Sequence, residues 1–89
     1  MKKIIGFILH RNFEKSYSKQ NIEVKKAFIE RRNLLLIDQN HPLLNNHSLQ
    51  GKWSQYRSIN ITGDVRAVFK MEGYFAVFVE IGTHSQLYK

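Results

Sequence analysis

The sequence predicts an α+β fold of order β-α-α-β-β-β(β), a helical hairpin packed on one face of a small antiparallel sheet. Three features of the pattern predict it. A short apolar run, Ile4 to Leu9, stands near the start. Two segments with helical spacing of apolar residues follow, and after Trp53 the spacing changes from helical to alternating.

The elements follow in order. Ile4, Ile5, Phe7, Ile8 and Leu9 have the length of a strand. Asn12 is placed to cap a helix carrying Phe13 and Tyr17 one turn apart. Lys19-Gln20-Asn21 reads as a short loop in which Asn21 caps a second helix. From Ile22 onward Val24, Ala27, Phe28, Leu34 and Leu35 make an apolar stripe, and Lys25, Lys26, Glu30, Arg31 and Arg32 make the outer face. Asn40-His41-Pro42 ends this helix, because the residue before proline avoids helical geometry. Residues 42–52 are polar and turn-like. Gln55 to Ile61 makes a strand, Thr62-Gly63-Asp64 a turn and Val65 to Met71 a second strand. Glu72-Gly73 is a hairpin signal leading into Tyr74 to Ile81. Gly82-Thr83 breaks that strand, and His84 to Tyr88 reads as a last short one.

The 89 residues make one domain, 1–89, with a single modest core. Six Phe, four Tyr and one Trp supply bulk for that core and argue against disorder. Without cysteine, disulfides, zinc–thiolate sites and thiol nucleophiles are excluded. Met1-Lys2-Lys3 before the apolar run has the charge of a secretory leader. Arg11 interrupts it too soon and no small-residue cleavage site follows, so the expectation is a soluble, cytoplasmic protein with no membrane partner. Fourteen Lys and Arg against seven Asp and Glu leave a formal charge of +7. Such a field attracts polyanions: nucleic acid, an acidic protein or an anionic membrane.

Strand alternation sorts the candidate side chains. Asp64, Arg66, Val68 and Lys70 share one face, and Val65, Ala67 and Phe69 the other. In the following strand Phe75, Val77, Val79 and Ile81 form a uniformly apolar face expected to be core. Arg66 is then exposed, and the bland role for it is a cross-strand partner of an acid such as Glu80. His10 and His41 stand at element ends and read as surface or capping residues. His47, just before the sheet, and His84, just after Gly82, follow chain breaks where side chains converge at one end of a sheet.

Four segments in register carry a resemblance: His47 to Trp53 (H-S-L-Q-G-K-W), Tyr56-Arg57, Asp64 to Lys70 (D-V-R-A-V-F-K) and Gly82 to Tyr88 (G-T-H-S-Q-L-Y). Together they resemble the C-terminal half of the RelE/ParE superfamily of bacterial toxins, most of all its YafQ branch. The N-terminal half agrees in layout, a strand followed by two helices. The resemblance implies a RelE-like fold and a toxin that cuts messenger RNA on the ribosome without a metal or other cofactor. It implies that His47, Asp64 and His84 are catalytic, with Tyr88 in the same site, where it would stack on a base or bind a phosphate. Arg66 matches the strand arginine of the wider ribonuclease family. Lys52, Arg57 and Lys70 near the site, and Lys25, Lys26, Arg31 and Arg32 on the helix, are the implied RNA-binding residues. Asn60 stands where relatives often carry another histidine, and Val65 where tryptophan often follows the aspartate.

The chemistry suits those residue types. RNA carries its own nucleophile, the 2′-hydroxyl, which attacks the adjacent phosphorus and expels the 5′-oxygen. Histidine, with an ordinary pKa near ~6.5, suits proton transfer, and arginine suits a phosphate carrying developing charge. His84 and Asp64 are the main acid–base candidates, and His47 positions RNA or shares the proton transfer. The resemblance also implies a cognate antitoxin protein, with DNA contacted only indirectly through their complex. Two rivals stand beside this reading. One is a ParE-like gyrase inhibitor of the same fold, which lacks the histidine set. The other is a catalytically silent module that binds RNA or antitoxin.

Overall fold

The structure, a computed structural model, describes residues 2–87. Strand β1 (Gly6–Leu9) runs into helices α1 (Arg11–Ser18) and α2 (Ile22–Ile37). Strands β2 (His47–Ser48), β3 (Arg57–Asn60), β4 (Val65–Glu72) and β5 (Phe75–Thr83) follow, and a helical turn, α3 (His84–Leu87), comes last. Among the described residues the strands form one sheet of order β1-β5-β4-β3-β2. The α+β class stands, but the sheet is mixed rather than purely antiparallel. β2 to β5 pair antiparallel, while β1 lies parallel to β5 with Leu9 opposite Phe78. That direction is set by docking, not by the residues of β1. The chain leaves β1 through His10, whose N–H donates to the Phe78 carbonyl at 2.8 Å, and α1 packs against β5.

Side-chain caps place the helices. α1 starts two residues earlier than Asn12 capping predicts. His10 is its cap, with extended backbone and Nδ1 accepting from the Asn12 N–H at 3.1 Å. Asn21 caps α2 as expected, its Oδ1 accepting from the Val24 N–H at 2.9 Å. His41 caps the 3₁₀ turn Pro42–Leu44 in the same manner as His10, by accepting from the Leu43 N–H. The largest departure is at the end. β5 runs on to Thr83, and residues 84–87 form a helical turn, not a strand. The Thr83 N–H donates to Gln86 Oε1 at 2.8 Å and the Gln86 N–H to Thr83 Oγ1 at 3.3 Å. Thr83-His84-Ser85-Gln86 is thus a capping box, in which two side chains satisfy each other's backbone donors and start a helix.

The core lies between α1, α2 and one face of the sheet. Phe13, Val24, Phe28 and Leu35 meet Ile59, Ala67, Phe69, Ala76, Phe78 and Ile81, all buried. Phe78 sits at its centre, with ring centroids 5.6 Å from Phe13, 5.1 Å from Phe28, 5.3 Å from Phe69 and 6.0 Å from Phe7. This reverses the phase expected for β5. Ala76 and Phe78 face the helices, Val77 and Val79 face the other side, and Phe75 is exposed. The pairing shifts by one residue between Val68 and Phe69, so that Val79 is an extra residue, a β-bulge, and Ile81 returns to the core. Alternation could not choose the phase, because the face opposite the helices is itself partly apolar: Val68 and Val77 are buried there. The loop of the β4–β5 hairpin is Gly73-Tyr74, one residue beyond Glu72-Gly73, since Glu72 pairs with Phe75; Gly73 takes a φ of 62°, which glycine adopts without strain.

The cleft face is roofed by residues 49–56, which fold back so that the Leu49 N–H donates to the Tyr56 carbonyl at 3.0 Å. Beneath it Ser58 is fully buried between His47 and Val68, and its hydroxyl has no hydrogen-bond partner among the described residues. A buried polar group without a partner destabilises, so Ser58→Ala is expected to raise the unfolding free energy by about 1 kcal/mol. Urea denaturation measures it, and a drop in midpoint would show that the hydroxyl is satisfied.

Candidate active site

His47, Leu49, Gln50, Trp53, Arg66 and His84 line a cleft of about 190 Å³ on the sheet face away from the helices. Register explains how three sequence-distant residues meet. His47 pairs with Ser58 and Ser58 with Val68, so His47 stands on the β4 face that also carries Arg66. Arg66 lies opposite Gly82 on β5, two residues before His84 at the start of α3. Gly82 is what allows α3 to turn back over the strand: a Cβ there would lie 2.8 Å from Gln86 Oε1, the oxygen that caps the turn.

Each of the two histidine–arginine anchor points is fixed by a neighbour. Arg66 Nη1 donates to Asn60 Oδ1 at 2.8 Å across the β3–β4 pair. Glu80, the acid named as its bland partner, instead accepts a hydrogen bond from Ser16 of α1. His47 Nδ1 lies 2.7 Å from the carbonyl oxygen of Asn45, a residue held at φ 45°. A carbonyl only accepts, so Nδ1 carries the hydrogen, and in the neutral ring Nε2 keeps the lone pair. His84, like His47, is exposed. Among the described residues the lining holds a permanent cation, two imidazoles and no carboxylate, an arrangement that draws in a phosphate.

The other expected site residues fall elsewhere. Asp64 is exposed in the bend before β4 and lines none of the described clefts. Tyr88 lies outside the described residues. Lys52 is exposed beside Trp53 in the roof. Arg57 pairs with Phe69 and so points to the helix side, where its Nε donates to Asn46 Oδ1 at 2.8 Å. Lys70 lies on the cleft face, 3.4 Å from Glu72 and over the Tyr56 ring. The basic residues of α2 are on the far side of the sheet. Lys26 is exposed there; Lys25 lies over the Tyr17 ring, Arg32 over Phe7, and Arg31 donates to the Leu43 carbonyl at 2.6 Å. Asn60 and Trp53, both named among the resembling positions, were given no role in the site. The signal for Asn60 was its place opposite Arg66 in a hairpin closed at 61–64; Trp53 carried none beyond its motif. Among the described residues no three His, Cys, Asp or Glu side chains converge as a metal site requires, and no helix is long and apolar enough to cross a membrane.

Solved structures share this architecture. The chain superposes on the YoeB/ParE toxin of Agrobacterium tumefaciens with a TM-score of 0.75 at 14% identity, covering 90% of this chain and 99% of that one. For YafQ of E. coli strain BL21(DE3) the TM-score is 0.68 at 21% identity, covering 93% and 97%. YafQ in its complex with DinJ, also from E. coli, gives 0.66 at 22%, covering 93% and 97%. No curated protein sequence matches significantly. At these identities the superpositions carry the fold alone, a helical layer on a mixed sheet as in RelE-like toxins. Sequence carries the family: residues 7–89 match the model described as the bacterial toxin of type II toxin–antitoxin systems, YafQ, and the chain therefore belongs to that family.

Proposed function

We propose that the chain is an endoribonuclease that cuts messenger RNA on the ribosome, using its own side chains and no metal. The observation that carries the proposal is the meeting of His47, Arg66 and His84 in one cleft. A base takes the 2′-hydroxyl proton and the oxygen forms a bond to the adjacent phosphorus. The bond to the 5′-oxygen breaks, and an acid protonates that oxygen, leaving a 2′,3′-cyclic phosphate and a free 5′-hydroxyl. His47 suits the base, since its Nδ1–H is held by Asn45 and leaves the Nε2 lone pair for substrate. His84, at the opposite wall, suits the acid. Arg66 binds the phosphoryl oxygens as charge builds on them. Asp64, which does not line the cleft, is given no proton transfer in this scheme, and Tyr88 is assigned to stacking on a base.

Exposed Lys26 and half-buried Lys25, Arg31 and Arg32 of α2 lie on the far side of the sheet from the cleft and suit the ribosomal RNA backbone, whose grip is salt-dependent. A cognate antitoxin, as DinJ accompanies YafQ in the E. coli complex, would cover the basic surface in the cytoplasm and carry any DNA contact of the pair. Cells inducing the wild type are expected to stop growing, with discrete in-frame cuts in a reporter message by primer extension. His47→Ala and His84→Ala each lower cleavage by roughly 10²- to 10⁴-fold, the share of a general acid or base, and Asp64→Asn by about tenfold at most. Growth arrest without cuts, unchanged in these variants, would favour gyrase inhibition or a silent binding module.

A further inference from the structure

A second cleft, of about 340 Å³, lies beside the first on the same sheet face, and Trp53 walls both. Val77 and Val79 contribute its apolar lining. Trp53 and Tyr56 form an aromatic corner, their rings 5.1 Å apart and edge to face. Lys70 and Glu72, 3.4 Å apart, supply a cation and an acceptor there, and the Lys70 ammonium sits 5.9 Å from the centre of the Tyr56 ring. Apolar walls, aromatic rings and a polar margin suit a flat ring system with hydrogen-bonding edges. Alternation places Val77 and Val79 on this side of β5, and the bulge at Val79 brings Glu80 to the same side, where it also lines the cleft.

We propose that this cleft binds a nucleobase of the RNA substrate, outside the two nucleotides that flank the cut. The inference rests on the ribonuclease reading above. Arg66 and Lys70 lie four residues apart on one face of β4, about 13 Å at the rise of a strand. That is several times the ~3.4 Å rise of one stacked nucleotide, and the base beside Lys70 is accordingly assigned beyond the two that flank the bond at Arg66. Trp53 then lies between the two sites, in contact with both.

The test uses 2′-O-methyl oligoribonucleotides, which lack the nucleophilic hydroxyl and are not cut. A dinucleotide is compared with tetranucleotides extended by two residues on the 5′ or the 3′ side. Binding is read from fluorescence of Trp53, the only tryptophan of the chain, and from anisotropy of end-labelled oligonucleotides. One of the two extensions is expected to tighten binding about tenfold or more, within the range of base–aromatic stacking. Tyr56→Ala should erase that gain while leaving the dinucleotide affinity unchanged. Should the alanine variant fail to fold, Tyr56→Leu, which keeps the bulk and removes the π face, serves the same purpose. No gain from either extension, or a gain that survives loss of the Tyr56 ring, overturns the inference and leaves the ribonuclease reading intact. Wild type that binds none of the oligonucleotides also overturns the inference, whereas the ribonuclease reading stands or falls with the primer-extension cuts.

Discussion

Arg66→Lys keeps a positive charge in the cleft, yet it is expected to slow cleavage by about 10²- to 10³-fold, close to the effect of Arg66→Ala. The reason is geometry. Asn60 Oδ1 takes one N–H of the guanidinium at 2.8 Å and so fixes the plane in which the others are offered. A planar fork held in one orientation can give a phosphate two parallel hydrogen bonds where its charge develops. A lysine ammonium is a point charge on a flexible stem, and it cannot satisfy Asn60 and present the same fork. Asn60→Ala should cost less than either arginine variant, because it loosens the group without removing it. Cleavage rates on stalled ribosome complexes decide the matter. If lysine matches arginine, the site uses only the field of the cation and the role of Asn60 falls with it.

Phe78→Ala is expected to remove roughly 3–5 kcal/mol of stability, a large part of the 5–15 kcal/mol typical of a folded domain. Phe78 is fully buried and touches the rings of Phe7, Phe13, Phe28 and Phe69. These come from β1, α1, α2 and β4, so one truncation loosens every layer. Phe78→Leu, which keeps most of the volume, should cost under about 1.5 kcal/mol. Urea denaturation of the three proteins, with an unchanged slope, would confirm a loss of packing. Equal midpoints for alanine and leucine would mean that the neighbouring rings close over the space.

Much of this was legible because it is local. The Asn21 cap, the helix stop near Pro42, the β3–β4 hairpin and the Val65, Ala67, Phe69 core face all follow from residues close together in sequence. The errors share a cause. The phase of β5 and the direction of β1 depend on what packs against each element. The helical turn after Thr83 is a different kind of miss. Its capping box was present in four consecutive residues, and the glycine before it drew attention to a break rather than a start. For the candidate site, His47, Arg66 and His84 stood out by residue type and surroundings, whereas Asn60 stood out only by the resemblance and its hold on Arg66 only through pairing register.

The single turn α3 has a consequence for how activity fails. Arg66 belongs to a central strand, paired on both sides, and is freed only when the whole sheet comes apart. His84 rides on four residues resting on β5 and started by one reciprocal pair of hydrogen bonds. Opening such a turn requires a fraction of the global unfolding free energy. The two sides of the cleft therefore melt separately. On the proposed reading, warming is expected to fray the wall that bears His84 while Arg66 stays held by its strand, giving a range in which the protein binds RNA without cutting it.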